Sequence, residues 1–344
     1  VQQWHLDYQF EPISKWVATV SYVGSKGTHL TDARDMNQIH SLPLANNPYK
    51  SGEAIGPNDC TTFTTPSGAS ITGQAANNLN VACGNDPDPY RPFEGFGSLE
   101  LLETEANSNY NALQTSLRRT AGALTLNVAY TYSHSIDDSS DRGDSTFVDS
   151  YNLAANRGSS NFDQRHILNV SYVYDLPFFR KATGVEKALL GGWEWSGIVT
   201  SQSGVPINVS NTVYGDNAGV GNGVGTGSRP DVTGNPHATS CQPSTAPGPY
   251  LFNPCAFAAP QGLTFGNVGR NFLNLPHRTQ FDMGLFKRFV IKEQKAFEFR
   301  CETFNTFNHT QFSGVNSGYG SSIFLTASSA HLPRIMQFAL KFEF

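Results

Sequence analysis

The chain has 344 residues, a formal net charge of -5, and only 15% charged residues against 12% aromatics. Charge at that level is well below the roughly 25% of an ordinary soluble domain. The acidic balance leaves no basic face to neutralise phosphates, which excludes nucleic acid as a partner.

No run of 18 apolar residues occurs, so no transmembrane helix is expected. A β-barrel strand needs only about 9–11 residues with alternate ones apolar, so a membrane location stays open. The sequence opens Val1-Gln-Gln-Trp4, without initiator Met or apolar leader, which suggests a piece of a longer protein.

Period-2 alternation recurs along the chain, and nine long strands are predicted. The first, about 2–10, sets Trp4, Leu6, Tyr8 and Phe10 against His5, Asp7 and Gln9. The second, about 16–24, alternates Trp16, Ala18, Val20 and Tyr22 with Val17, Thr19 and Ser21. The third (about 109–119) carries Leu113, Thr115 and Leu117 on one side. The fourth (about 124–135) sets Leu126, Val128 and Tyr130 against Thr125, Asn127 and Ala129. The fifth (about 163–176) opposes Leu168, Val170 and Tyr172 to Asn169, Ser171 and Asp175, and the sixth (about 193–204) is led by Trp193, Trp195 and Val199. In the seventh, about 278–290, Phe281, Met283 and Leu285 oppose Gln280, Asp282 and Arg288. The eighth, about 295–307, separates Phe297, Phe299 and Cys301 from Glu298, Arg300 and Glu302. The ninth, 334–344, sets Phe338, Leu340 and Phe342 against Gln337, Lys341 and Glu343. Residues 96–105 alternate loosely and read as a further short strand.

The connections alternate in length. Links near Pro12, at Ala121-Gly122-Ala123 and at 291–294 are tight, and 177–192 is intermediate. Residues 25–108, 136–162, 205–277 and 308–333 form long loops. Long loops at one end and short turns at the other are the arrangement of a bacterial outer-membrane barrel. The polar side of the strands would then line a lumen through Asn127, Asp175, Asp282, Arg288, Glu298, Arg300 and Glu302, and the apolar side would meet outer-membrane lipid. The fold class expected is all-β, an antiparallel transmembrane β-barrel section of about 9–10 long strands with long extracellular loops. A sandwich placing the same charges on a solvent face is the alternative.

Cys60 and Cys83 share one polar loop and Cys241 and Cys255 another, which suggests two loop-closing disulfides in an oxidising compartment; Cys301 lies alone. No nucleophile elbow, His-Glu-x-x-His or Walker loop occurs, so neither an enzyme nor a cofactor is expected. His134 and His166 flank one loop as weak metal candidates. The run Asp137 to Asp144 is acidic but lacks calcium-loop spacing. The glycine-rich run 219–227 reads as a loop, and Tyr90, Phe93, Phe96, Tyr250, Phe252 and Phe257 are candidate ligand-stacking aromatics.

Several stretches resemble the barrel of TonB-dependent transporters of the Oar-like kind. They are Val1–Trp4, the run Val20-Ser-Tyr-Val-Gly-Ser-Lys-Gly-Thr-His-Leu30, Asn107–Gln114, Tyr130–His134, Phe162–His166, Gly197–Pro206 and Glu298–His309. The terminal Phe344 resembles the aromatic signal read by the barrel-assembly machinery. The resemblance implies about 22 strands around a plug. It places plug, TonB-contact motif and signal peptide before Val1, and implies an unidentified ligand. A passive porin and a secreted carbohydrate-binding β-sandwich are the competing readings.

Overall fold

A computed structural model describes residues 1–344 except 142–143, 145–146, 223–226, 240, 242–247 and 293–294. Parts of the acidic run, the glycine-rich run and the 291–294 turn therefore lie outside the described residues. Nine long strands form one antiparallel sheet in sequence order: β1 Gln2–Ile13, β2 Trp16–Asp35, β3 Glu100–Ala121, β4 Leu124–Asp137, β5 His166–Asp175, β6 Trp193–Gln202, β7 Arg278–Lys292, β8 Lys295–Phe304 and β9 Ile335–Glu343. A two-residue strand, Gly158–Ser159, pairs with the outer end of β4 and makes the sheet ten-stranded. The sheet stays open, with β1 and β9 as its edges.

The registers give the two faces their meaning. Asn127 stands opposite Ser171, Ser171 opposite Ile198, and Ile198 opposite Asp282, so these four share one row and one face. Asp175, Glu194, Phe286 and Arg300 form another row of that face, and Arg288, Glu298 and Lys341 a third. On the other face one row runs Phe10, Ala18, Leu117, Val128, Val170, Val199, Phe281. Because side chains alternate strictly, each row stays apolar or polar only if every strand holds its register. Among the described residues no second sheet covers the apolar face: the remaining sheets are two-stranded and lie in the outer segments. Leu6, Phe338 and Leu340 are 73%, 64% and 67% exposed. A soluble protein has no use for an apolar face of this extent, and a barrel wall in hydrocarbon requires one.

The strand ends show which way the sheet stands. β1 and β2 are joined by Ser14–Lys15, and Ile13 pairs with Trp16. β3 and β4 are joined by Gly122–Ala123, where Gly122 has φ 75°, a conformation a two-residue hairpin needs and glycine adopts without strain. The first turn therefore falls after Pro12, not at it. The strand continues through Pro12 across an irregularity between Phe10 and Ile13, and an edge strand tolerates proline there. Trp16, Arg119, Trp193 and Lys287 mark the apolar face near these short turns, and Arg119 and Lys287 lie over the Trp16 and Trp193 rings. Trp4 and His134 mark it near the long loops. The apolar band lies between these two levels.

Strand pairing runs further outward than the alternation suggested. β2 has 20 residues and β3 has 22, about twice what a bilayer needs. Residues 25–35 and 100–108, read from the sequence as loop, thus belong to a ladder that projects beyond the membrane, and 96–105 is no separate strand. The remaining ends differ from the sequence reading by only a few residues, and the described residues of 205–277 and 308–333 carry short pairings such as Phe312–Val315 with Ala327–Ala330.

The face assignment has a direct consequence. Val170→Arg, in the middle of the apolar band, is expected to destabilise the folded full-length protein by about 2–4 kcal/mol, whereas Asn169→Arg on the opposite face changes little. Urea unfolding in lipid vesicles, followed by tryptophan fluorescence, measures both; the opposite ranking would reverse the two faces.

Candidate functional site

Two regions carry polar chemistry: the polar wall of the sheet and the dome built by the outer segments. All seven wall residues read from the sequence, Asn127, Asp175, Asp282, Arg288, Glu298, Arg300 and Glu302, lie on the same face. Arg300 binds Glu298 on its own strand at 2.9 Å, Arg288 reaches Glu343 at 2.8 Å, and Lys341 joins the same carboxylate at 3.2 Å. Asp282 accepts from the Gln280 amide and from the backbone N–H of Asn305. A cavity of about 390 Å³ indents this wall between Asn127, Ser171, Ile198, Asp282, Phe286 and Glu302.

The dome is where the chain keeps its dry core. Leu42, Tyr49, Ile55, Ile71 and Leu79 pack with Leu263, and Ile39 and Val81 pack with Ala218 and Val220. Val209, Phe252, Phe257 and Leu273 pack with Phe324 and Leu325. Each cluster joins segments that leave different hairpins. Two helices lie in the first segment, α1 Asp59–Thr62 and α2 Gln74–Ala82, and a disulfide from Cys60 to Cys83 ties them together. Cys241 is bonded to Cys255, and Cys301 is free on the apolar face of β8.

Buried arginines weld the segments. The Arg270 side chain is fully buried. One of its nitrogens contacts Asp137 at 2.5 Å, Ser140 at 2.8 Å and Asp144 at 3.5 Å, and another donates to the carbonyls of Asp137 and Asn156. Gly158 lies so close that a Cβ there would meet the Arg270 carbonyl at 2.7 Å. Arg91 does the same work elsewhere, pairing with Asp35 and Asp88 and donating to the carbonyls of Asn37 and Gly221. Arg157 pairs with Asp138 at 2.9 Å. Arginine therefore holds the carboxylates of Asp137, Asp138 and Asp144, which the sequence offered as a weak calcium candidate. A guanidinium fork satisfies a carboxylate in two directions at once. Burial pushes Arg229, which donates to Asn156 and lies near Arg270, down to about 10.

His134 and His166 do not converge. His134 contacts Asp163 and Arg165, and His166 contacts Tyr130. Among the described residues no group of three or more His, Cys, Asp or Glu is placed to hold a metal. Of the candidate stacking aromatics, Phe252 and Phe257 are core residues rather than ligand contacts. Phe93 and Phe96 are exposed, at 46% and 61%. The buried Asn37 side chain holds their loop: its amide donates to the carbonyls of Phe93, Phe96 and Gly97 and accepts from the Phe93 N–H. Sequence reasoning passed over Asn37, Arg91 and Arg270. Their only local signal is a long polar side chain in a Gly- and Asn-rich loop, and their partners are remote in sequence.

The family model for an outer membrane beta barrel domain matches residues 1–337. The chain belongs to that family. This places the barrel section in the bacterial outer membrane, with its apolar face to lipid. No curated protein matches the sequence. Among solved structures, the barrel section resembles the outer membrane transporter YddB from Escherichia coli, with a TM-score of 0.44 and 6% identity over 99% of this chain and 32% of that one. The ferripyoverdine receptor of the Pseudomonas aeruginosa outer membrane gives 0.42 and 10% over 99% and 27%. The chain thus spans about a third or less of these structures' length.

Two outcomes test the dome. Arg270→Ala leaves Asp137 and Asp144 buried without their cation, a loss of about 3–5 kcal/mol. Protease cleavage within 138–165 and 203–277 should accelerate while the membrane strands stay protected. Asp32, beyond the apolar band on β2, is buried opposite Glu103. Burial first, and then the Glu105 and Glu103 carboxylates, raise its pKa; the nearby Glu105 backbone opposes the rise only in part. Its contribution to stability is therefore complete below the ordinary Asp pKa and is lost as pH rises through the raised value. Melting temperature measured from pH ~4 to ~7 should fall less in Asp32→Asn than in the parent.

Proposed function

We propose that this chain is the C-terminal barrel section of a TonB-dependent outer-membrane transporter of the Oar-like kind, whose outer dome captures a ligand and whose polar wall faces a plugged lumen. The observation that carries the reading is the dome itself. The outer segments are cross-packed around three apolar clusters, with Phe93 and Phe96 left exposed, and an open diffusion pore has no need of so ordered a cover. Phe93 and Phe96, displayed by Asn37, are the contacts offered to the ligand.

Strand parity supports a larger barrel. β1 and β9 both run from the outer end toward the short-turn end, so the two free edges are parallel. An antiparallel closure therefore takes an odd number of further strands, because a free edge in hydrocarbon leaves its N–H and C=O groups without partners. In this reading those strands, the plug and the TonB-contact segment precede Val1. Phe344, 91% exposed with its ring stacked on Phe342, serves as the handle for the barrel-assembly machinery. A passive porin is the second reading, and the cavity in the polar wall is compatible with it.

Planar-bilayer recording of the full-length protein separates the two. The transporter reading expects a closed baseline that opens into large steps when the plug is deleted. A steady open conductance in the intact protein would instead establish the porin.

A further inference from the structure

The link between β5 and β6 is the exception among the short-turn connections. Where β1–β2 and β3–β4 turn within two residues, residues 176–192 form a loop and a short helix, α3 Gly184–Leu190. The surface of this link is unusual. Phe178, Phe179, Val185, Leu189 and Leu190 are 61%, 45%, 74%, 56% and 48% exposed. Val185, Ala188 and Leu189 stand at i, i+3 and i+4, a single stripe of the helix. Arg180, Lys181 and Lys187 face a single acid, Glu186.

Two contacts fix which side of the wall this link occupies. The Trp193 indole N–H donates to the Leu189 carbonyl at 3.1 Å, and the Lys287 ammonium donates to the Gly191 carbonyl. Trp193 and Lys287 both belong to the apolar face: they pair with each other, and Lys287 pairs with Phe299. Lys287 is 3% exposed and lies over the rings of Trp193 and Phe289. A lysine on a lipid-facing wall is costly unless it has a partner, and carbonyls at the C-terminal end of a helix are a suitable one. The link is thus drawn onto the lipid side of the barrel, at the tryptophan level, and not into the lumen.

We infer that residues 177–190 form a membrane-interface anchor, seated in the headgroup layer of the periplasmic leaflet and bound to anionic phospholipid. The helix is tied to the lipid-facing wall through the Trp193 indole, which holds the Leu189 carbonyl. The basic excess matches anionic headgroups. A short helix with one apolar stripe and a basic flank lies in the interface plane and does not cross the membrane.

The test uses the full-length protein in nanodiscs of phosphatidylethanolamine and phosphatidylglycerol, on a Cys301→Ala background. Spin labels go at Val185→Cys, Leu189→Cys and Glu186→Cys. The ratio of oxygen to nickel-chelate collision should be about threefold higher at 185 and 189 than at 186. Equal, nickel-rich ratios at all three would place the helix in water. Shielding from both reagents would place it against protein, including a plug. Either result overturns the inference. A label-free arm guards against misfolding of the cysteine variants. Trypsin cleavage after Arg180 and Lys181 in the same nanodiscs should be about tenfold faster in Leu189→Asp than in the parent, and unchanged rates would also overturn the inference.

Discussion

Hydrocarbon offers a peptide group no hydrogen-bond partner, and this one deficit organises the chain. Each strand within the bilayer must give its N–H and C=O groups to neighbours, so the nine strands pair in sequence order without a crossover inside the band. Pairing fixes register, and register decides that Phe281 and Val199 share a lipid-facing row while Asp282 and Ile198 share a row of the polar wall. Even the exceptions follow the same rule. Lys287 stands on the lipid side only where the Gly191 carbonyl at the helix end and two aromatic rings receive it.

Outside the membrane the problem is a different one. The outer segments have water available, but they lack a sheet face against which to build a core. They solve this by packing on one another. Leu263 from one segment closes the cluster around Leu79 of another, and Phe324 and Leu325 close the cluster around Val209. Buried arginines complete the joints, so a chain with few charges spends several of them inside its dome. This division explains why so little of the sheet is buried and so much of the loop region is.

How much of this was legible followed from how local each cause is. Alternation reports a strand wherever one face meets lipid, and the strand cores, the tight turn at Gly122 and the sidedness of Glu298, Arg300 and Glu302 were all readable. The signal fades where β2 and β3 leave the membrane. There both faces meet water or the dome, and Thr28 and His29 fall at a register shift between the Gly27–Ser108 and Leu30–Ala106 pairs, beyond which the ladder continues. The aromatic candidates Phe252 and Phe257 misled for a related reason: in a loop, a phenylalanine that will be buried by a remote partner cannot be told from one left open for a ligand.

The sequence by itself determined the membrane strands, their two faces and the turn chemistry, because these depend on neighbours two residues away or one hairpin away. Only the tertiary structure decided that four outer segments form one dome, that Arg270 answers Asp137 and Asp144, and that Asn37 presents Phe93 and Phe96. Those contacts join residues tens to more than a hundred positions apart, and nothing periodic links such residues along the chain. Their physical cause is mutual burial, which exists only once the segments have met.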